Sequence, residues 1–345
     1  MPINKIKKSA TLNDIAKLSG VSKATVSLII NSDSRVADRT RRKVLEVIEE
    51  LGYIHNRGAA GVSTGRTNTV GLAVHDITNP YFAEVLADCE AVLSRNDKLA
   101  FLSNTKESIE QQSRFIEALI GYRSDGLILS PADGTDLDDL LPIFKSYLPT
   151  VLIARQVEGT KLDFVVNDGV LAIKKATEHL IRLGHTRIAM AGGGQKTSVS
   201  KNRSVGFVSA MQKNALEVDQ SLIVKCETSP GGGVDALSML LSHNNPPTAV
   251  VCFTDLVAVG IISELHNRGL EPGKDLAIVS CDDIDEASRG YVQLTTMKTQ
   301  KSEIGRLAAE LLIRRINDPK APLKHIYLPS ELIIRKSCGF NLKKN

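Results

Sequence analysis

The 345-residue chain has no tryptophan, few aromatic residues of any kind, and no apolar run approaching the roughly 20 residues of a membrane span. Its first residues are polar and basic, without the apolar core of a signal peptide, so neither insertion nor export is expected. Five cysteines, Cys89, Cys226, Cys252, Cys281 and Cys338, are scattered and odd in number. That arrangement argues against a disulfide framework and shows no metal-ligand spacing, so a reducing cytoplasm is expected, with no bound metal. The glycine runs at 192–194 and 231–233 lack the GxxxxGK[ST] spacing of a phosphate loop and read as turns. No Ser–His–Asp order emerges, and His185 in LGH reads as structural, so no enzyme and no cofactor is expected. Apolar and charged fractions of 42% and 24% are ordinary, which excludes wholesale disorder.

What is present begins at residues 11–31, TLNDIAKLSGVSKATVSLIIN. Leu12, Ile15 and Ala16 keep helical spacing, Thr11 is placed to cap, and Asp14 three residues on makes a partial capping box. Gly20 supplies a permissive backbone for a turn, Val21 buries, and Ser22 caps a second helix. In that helix Val26, Ile29 and Ile30 share one face, leaving Lys23, Ala24, Ser27, Leu28 and Asn31 on the other. A small, mostly uncharged outward face suits a helix that lies against a partner. The pattern is that of a helix-turn-helix, whose second helix enters a DNA major groove.

Charge is unevenly distributed. Through Arg66 there are 12 Lys/Arg against 6 Asp/Glu, and beyond it 31 against 33, so a basic head precedes a near-neutral body. That is the electrostatic footprint of a nucleic-acid-binding module. Residues 1–10 read as a polar arm. A third helix is expected over 37–51, with Val44, Ile48 and Leu51 buried, Gly52 as its stop, and Arg39, Arg41, Arg42 and Lys43 beside phosphates.

The run from Thr11 through LGY at 51–53 resembles the lac repressor/galactose repressor family of bacterial transcription regulators. The resemblance continues in TVGLAVHDITNPYF at 69–82, LIRLGHTRIA at 180–189 and CDDID at 281–285, in order along nearly the whole chain. VSLIIN, HLIRLGHTRIA and AVVCF are most similar to the maltose-regulon repressor type. The family implies a hinge at 56–66, NRGAAGVSTGR, where a short helix from each subunit of a dimer wedges an apolar side chain into the minor groove. Val62 occupies the wedge position. Gly58 and Gly61 flank it and His55 replaces a proline, so a poor helix is expected there before DNA binds. The implied DNA contacts are Thr11, Ser22, Lys23, Ala24, Thr25, Ser27, Leu28, Asn31, Arg41, Arg42 and Val62. Many relatives carry Arg at the position of Leu28, where two hydrogen bonds to guanine are possible; leucine can only pack on an apolar base edge.

From Thr69 onward short apolar runs alternate with amphipathic helices, which predicts parallel sheets wrapped by helices. The fold class expected is α/β: an all-α helix-turn-helix head followed by a doubly wound effector domain of two lobes, like a periplasmic binding protein. The boundaries are 1–55 for the head, 56–68 for the hinge and 69–345 for the ligand-binding and dimerisation domain. Ligands would sit at the carboxyl ends of strands facing an interlobe cleft. Candidate ligand groups are His75 and Asp76 after the first strand, Phe82, Arg203 opening a helix, Thr254 and Asp255 after the strand 249–252, and Asp282 after 276–280. The forked donors of Arg203 suit hydroxyls or a carboxylate, and Asp282 can accept from sugar hydroxyls. Asp76 and Asp255 read equally well as helix caps. Thr254 stands where many relatives have Asn, and Thr228 near where some have a stacking aromatic. A sugar platform would then come from Phe82, Phe253 or Tyr291.

The expected function is a ligand-responsive DNA-binding regulator, a repressor acting as a homodimer on a near-palindromic operator, with a carbohydrate effector. The C-terminal tail is too short for a tetramerising helix. The alternatives are a solute-binding protein, opposed by the first 66 residues, and a sugar-modifying enzyme, for which no catalytic constellation is visible.

Overall fold

Helix caps organise the head. In the computed structural model, which describes residues 10–30, 35–53, 66–194 and 196–340, α1 (Leu12–Ser19) opens with a complete capping box. Thr11 Oγ1 accepts from the Asp14 amide and Asp14 Oδ2 accepts from the Thr11 amide at 2.8 Å. Gly20 ends the helix at φ 66°, a left-handed conformation that glycine adopts without a side-chain penalty. Ser22 Oγ then accepts from the Thr25 amide at 3.1 Å, starting α2 (Lys23–Ile30). The third helix, α3 (Asp38–Leu51), ends on Gly52 at φ 59°. Ile15, Val26, Ile29 and Val44 form the buried centre of the three helices, with Ile48 and Leu51 packed against them. Asn31 and Val62, and the hinge segment around Val62, lie outside the described residues.

Contacts divide the chain into two compact units, Met1–Thr67 and Asn68–Asn345. The second contains two six-stranded sheets. The first sheet takes β1 (Thr69–Val74), β2 (Leu99–Asn104), β3 (Gly126–Leu129), β4 (Thr150–Ile153), β5 (Asp163–Asn167) and β11 (His325–Leu328) in the order β2-β1-β3-β4-β5-β11, all parallel. The second takes β6 (Ile188–Ala191), β7 (Ile223–Val224), β8 (Ala249–Cys252), β9 (Ala277–Asp282), β10 (Thr295–Lys298) and β12 (Glu331–Ile333) in the order β7-β6-β8-β9-β10-β12. Only the edge pair β10/β12 is antiparallel. β3, β4, β6, β8 and β9 are buried along their whole length, as expected of apolar strands covered on both faces.

Helices cover both sheets. Val70, Leu72 and Val74 point toward α4 (Pro80–Arg95) and α12 (Lys301–Asn317), while Ala73 points toward α5 (Ile109–Gly121) and α6 (Leu141–Ser146). On the second sheet Met190, Val251 and Val279 face α7 (Gly169–Arg182) and α8 (Ser198–Lys213). Ala189, Val250 and Ile278 face α9 (Pro230–Leu241) and α10 (Asp255–Asn267). A short α11 (Asp285–Arg289) follows β9. The chain passes between lobes three times: between β5 and α7, between β10 and α12, and between β11 and β12.

Several elements differ from the sequence reading. Residues 231–233 are not a turn; they sit in the first turns of α9, where a Cβ on Gly233 would run into the Val257 carbonyl of α10. Glycine there permits two helices to cross closely. Arg203 does not open its helix, because Thr197 Oγ1 accepts from Ser200 and starts α8 at Ser198. Strand β10 carries too few apolar side chains to read as a buried strand. Its threonines are instead used as ties: Thr296 Oγ1 donates to Asp255 at 2.7 Å and Thr295 Oγ1 accepts from the Arg335 amide at 2.9 Å.

Candidate functional site

The head presents α2 outward. Lys23 and Ala24 are exposed, Thr25, Ser27 and Leu28 are partly exposed, and no acidic residue occurs in the helix. Arg42 is exposed and Arg41 half-buried on α3. Thr11 and Ser22 each spend a side-chain oxygen on a helix cap, so they hold the helices in place whatever else they touch.

In the body, the carboxyl ends of β1, β4, β5, β8 and β9 and the first turns of α4, α7 and α8 converge on one cleft between the lobes. This is where parallel α/β sheets offer ligand sites. His75, Phe82, Arg203, Thr254 and Asp282 all line it. Thr228 and Phe253 line it as well. Tyr291 does not: it is 83% exposed and its ring lies 4.9 Å from that of His266.

Two acidic candidates lie elsewhere. Asp76 Oδ1 accepts from the Thr78 amide at 2.9 Å and the Thr78 hydroxyl at 2.6 Å, closing an exposed turn ahead of α4. Asp255 is fully buried beneath the cleft floor. It accepts from Ser280 Oγ, from Thr296 Oγ1 and from the Ile284 amide at 2.9 Å, so its carboxylate ties β9, β10 and the following bend together. Burial raises its pKa, with these three donors acting against that.

The strongest polar group on the first-lobe wall, Arg155, has no local sequence signal beyond being a charge at the end of the buried strand β4. Its fork meets Glu107 with two bonds of 2.7 Å, donates to the Pro131 carbonyl at 2.9 Å, and reaches His75 Nε2 at 3.2 Å. An arginine can only donate, so His75 Nε2 accepts; its Nδ1 then carries the proton and donates to Ser130 Oγ at 3.2 Å, a tautomer assigned from the network. Burial, and then the adjacent Arg155 charge, hold the His75 pKa well below its usual value, so the ring is neutral. It packs edge-on against Phe82 at 4.6 Å.

On the second-lobe wall Arg203 donates to the Phe253 carbonyl and to Asp282 Oδ1 at 3.2 Å, with its guanidinium 4.9 Å from the Phe253 ring centre. Burial pushes the Asp282 carboxyl up to about 7, with Arg203 opposing the shift. Arg203 Nε and Thr254 Oγ1 are buried without a hydrogen-bond partner. Asn167 donates to Tyr81 Oη at 3.3 Å beside them. At the mouth, Ser198 Oγ accepts from the Gln156 amide at 3.0 Å and Asp133 Oδ1 accepts from the Lys196 amide at 2.5 Å, joining the lobes. Among the described residues no cluster of His, Cys, Asp or Glu is placed to hold a metal, and no helix is long and apolar enough to cross a membrane.

Comparison with known proteins agrees with this geometry. Residues 11–56 match the model for bacterial regulatory proteins of the lacI family, and 177–338 match a periplasmic binding protein-like domain. The HTH-type transcriptional repressor PurR of Pasteurella multocida is 34% identical over 330 residues, covering 95% of this chain and 98% of that protein. The ribose operon repressor of Haemophilus influenzae is 32% identical over 328 residues, with coverage of 95% and 98%. A CelR–cellobiose complex superposes with TM-score 0.72 at 28% identity, covering 95% of this chain and 99% of that one. The fold is also that of the lac repressor dimer bound to operator and an anti-inducer, with TM-score 0.86, 24% identity and coverage of 96% and 99%. These relatives do not assign the maltose-regulon subtype. With a capped helix-turn-helix at its head and a cleft between two doubly wound lobes in its body, the chain belongs to the lacI family of bacterial regulatory proteins and is a DNA-binding transcriptional regulator.

Proposed function

We propose that the chain represses transcription from a near-palindromic operator as a homodimer, under control of a small uncharged carbohydrate in the interlobe cleft. The domain roles follow the sequence boundaries: 1–55 reads DNA, 56–68 is the hinge with Val62 as its wedge, and 69–345 binds effector and dimerises. In the head, Lys23, Ala24, Ser27, Leu28 and Asn31 face bases, with Arg41 and Arg42 on phosphates. Apolar side chains left half-exposed on the edge strand β2, Leu99, Phe101 and Leu102, offer a surface suited to a second copy.

The observation that carries the effector assignment is charge balance in the cleft. Arg155 is matched by Glu107, Arg203 by Asp282, and His75 is neutral. Among the described residues lining the cleft, each cation faces a carboxylate, so a phosphorylated or carboxylated ligand would have to compete with Glu107 or Asp282, whereas hydroxyls can use the unpartnered Arg203 Nε and Thr254 Oγ1 and lie against Phe82 and Phe253. The CelR relative was solved with cellobiose bound, which favours the same ligand class here. The relatives are transcriptional repressors, which supports reading the cleft as a site that acts by binding and the chain as a regulator, not an enzyme. A cytoplasmic location goes with that role.

The test of the DNA assignment is selection from random duplexes by the full chain, followed by binding at increasing salt. A two-fold symmetric consensus should emerge, with affinity falling steeply as salt rises. No sequence-specific retention at moderate salt would reject it.

A further inference from the structure

Lys301 stands in an unfavourable place for a cation. It is the first residue of α12, where the helix dipole opposes positive charge, and its side chain is only 7% exposed. Three acceptors surround its ammonium: the carbonyls of Asp283 at 2.5 Å and Asp282 at 3.3 Å, and Glu84 Oε1 at 3.0 Å. The two carbonyls belong to the bend that ends β9 in the second lobe. Both residues there have positive φ: Asp283 at 57° sits in the left-handed well that Asp tolerates, but Asp282 at 130° lies outside it, in a region side-chain-bearing residues rarely adopt. Thr299 Oγ1 helps to hold it, donating to the Asp282 carbonyl at 3.0 Å. Glu84 belongs to α4 of the first lobe, two residues after Phe82. Gly305 brings α12 and α4 together so closely that a Cβ would meet the Val85 carbonyl.

One ammonium therefore joins the bend that aims Asp282 into the cleft to the helix that carries Phe82 on the opposite wall. We propose that Lys301 is a positioning residue that couples the Asp282 bend of the second lobe to α4 of the first, so that a ligand engaging Asp282 is felt along α4. This rests on the cleft being the effector site, and extends it by naming the connection between the lobes. Its three N–H donors are shared among the three acceptors. A shift of the Asp282 or Asp283 carbonyl changes what remains for Glu84, which gives the coupling a direct physical route.

The experiment is a double-mutant cycle read by hydrogen exchange of the full chain, comparing parent, Asp282→Asn, Lys301→Met and the double variant. Met keeps most of the buried stem and removes the charge. Asp282→Asn should speed exchange in peptides from residues 80–95 about threefold or more in the parent background, and leave them nearly unchanged when Lys301 is Met. An equal response with and without the Lys301 ammonium, or no response in either background, overturns the proposal. Should Lys301→Met fail to fold, Glu84→Gln replaces it in the cycle with the same expected and contrary results, because it weakens only the first-lobe half of the bridge. No ligand enters the cycle, whereas the carbohydrate assignment is tested separately by thermal shift with D-ribose and cellobiose. The two ideas therefore fail independently.

Discussion

The head and the cleft use polar side chains in opposite ways. In the head, the oxygens of Thr11 and Ser22 close helix ends, while α2 turns a face without acidic residues toward solvent. Its packing comes from Ile15, Val26, Ile29 and Val44 within one compact stretch of chain. In the cleft, the cations are already matched, Arg155 by Glu107 and Arg203 by Asp282, and the neutral His75 ring is bonded to Arg155 and Ser130. A surface that keeps its capacity for an outside partner suits a polyanion such as DNA, whose binding gains from unspent positive charge. A cleft whose charges cancel selects its ligand by hydrogen-bond geometry. It can also be rearranged without leaving net charge behind.

The contrast within the cleft region is sharper still between Asp255 and Asp282. Asp282 ends the apolar strand β9 and Asp255 opens the helix that follows β8, yet Asp255 is a buried tie with three donors and Asp282 faces the cleft beside Arg203. Asp255→Ala should produce the largest effect, about 3 kcal/mol or more lost from body stability, because several buried donors lose their acceptor. Urea unfolding measures this; a loss under about 1 kcal/mol would mean that Asp255 is not the tie described here.

A change on the outward face should do the reverse, altering recognition and sparing the fold. Leu28→Arg is expected to change the selected base at its position, with a preference of about 1–3 kcal/mol for guanine, while Arg42→Ala weakens all sites alike. Identical consensus sequences for parent and Leu28→Arg in a site-selection experiment would show that this face does not read bases.

A third effect depends on pH. Because His75 has a lowered pKa in the folded state, its contribution is complete above about pH 6.5 and is lost as pH falls below the unfolded-state value. Protonation would place a cation against Arg155 Nη2, 3.2 Å away, in place of a hydrogen bond. Over the first unit below that pH the body should lose up to about 1.4 kcal/mol that a His75→Gln variant does not lose. Parallel stability–pH curves for the two proteins would contradict the neutral-ring assignment. The smallest effect expected is Thr11→Ala, about 1 kcal/mol from loss of the cap, confined to the head; exchange rates of α1 amides would report it.

Legibility in the sequence followed the distance between the residues involved. The head's caps, turn and apolar spacing lie within a few turns of one another, so Thr11, Asp14, Gly20, Ser22 and Val26 could be placed from local rules. Most strands and helices of the body were readable for the same reason. The exceptions carried an unusual duty, as when Thr295 and Thr296 tie strands together and so disguise β10, or when glycines at 231–233 permit a close helix crossing. The cleft is assembled from the ends of five strands and the starts of three helices. His75, Thr254 and Asp282 could be placed at the cleft because they follow or end strands, whereas Phe82 and Arg203, which also line it, lie within helices, and it is the family resemblance that points to Arg203. The sequence could mark Asp255 as a possible helix cap but not as a buried tie, because its donors Ser280, Ile284 and Thr296 lie 25 to 41 residues away; the bend at Asp282 is likewise held by distant groups, Lys301 and Thr299. Arg155 escaped because a single charge after a strand has no pattern until Glu107, 48 residues away, pairs with it.

The central claim is that the cleft governs the head. Its most direct test is the affinity of the full-length chain for its selected duplex at one fixed salt concentration, with and without a sugar shown by thermal shift to bind. An effector acting through the cleft should move that affinity about fivefold or more, and Arg203→Ala should abolish the response. An affinity unchanged by a sugar that demonstrably stabilises the body would contradict the account.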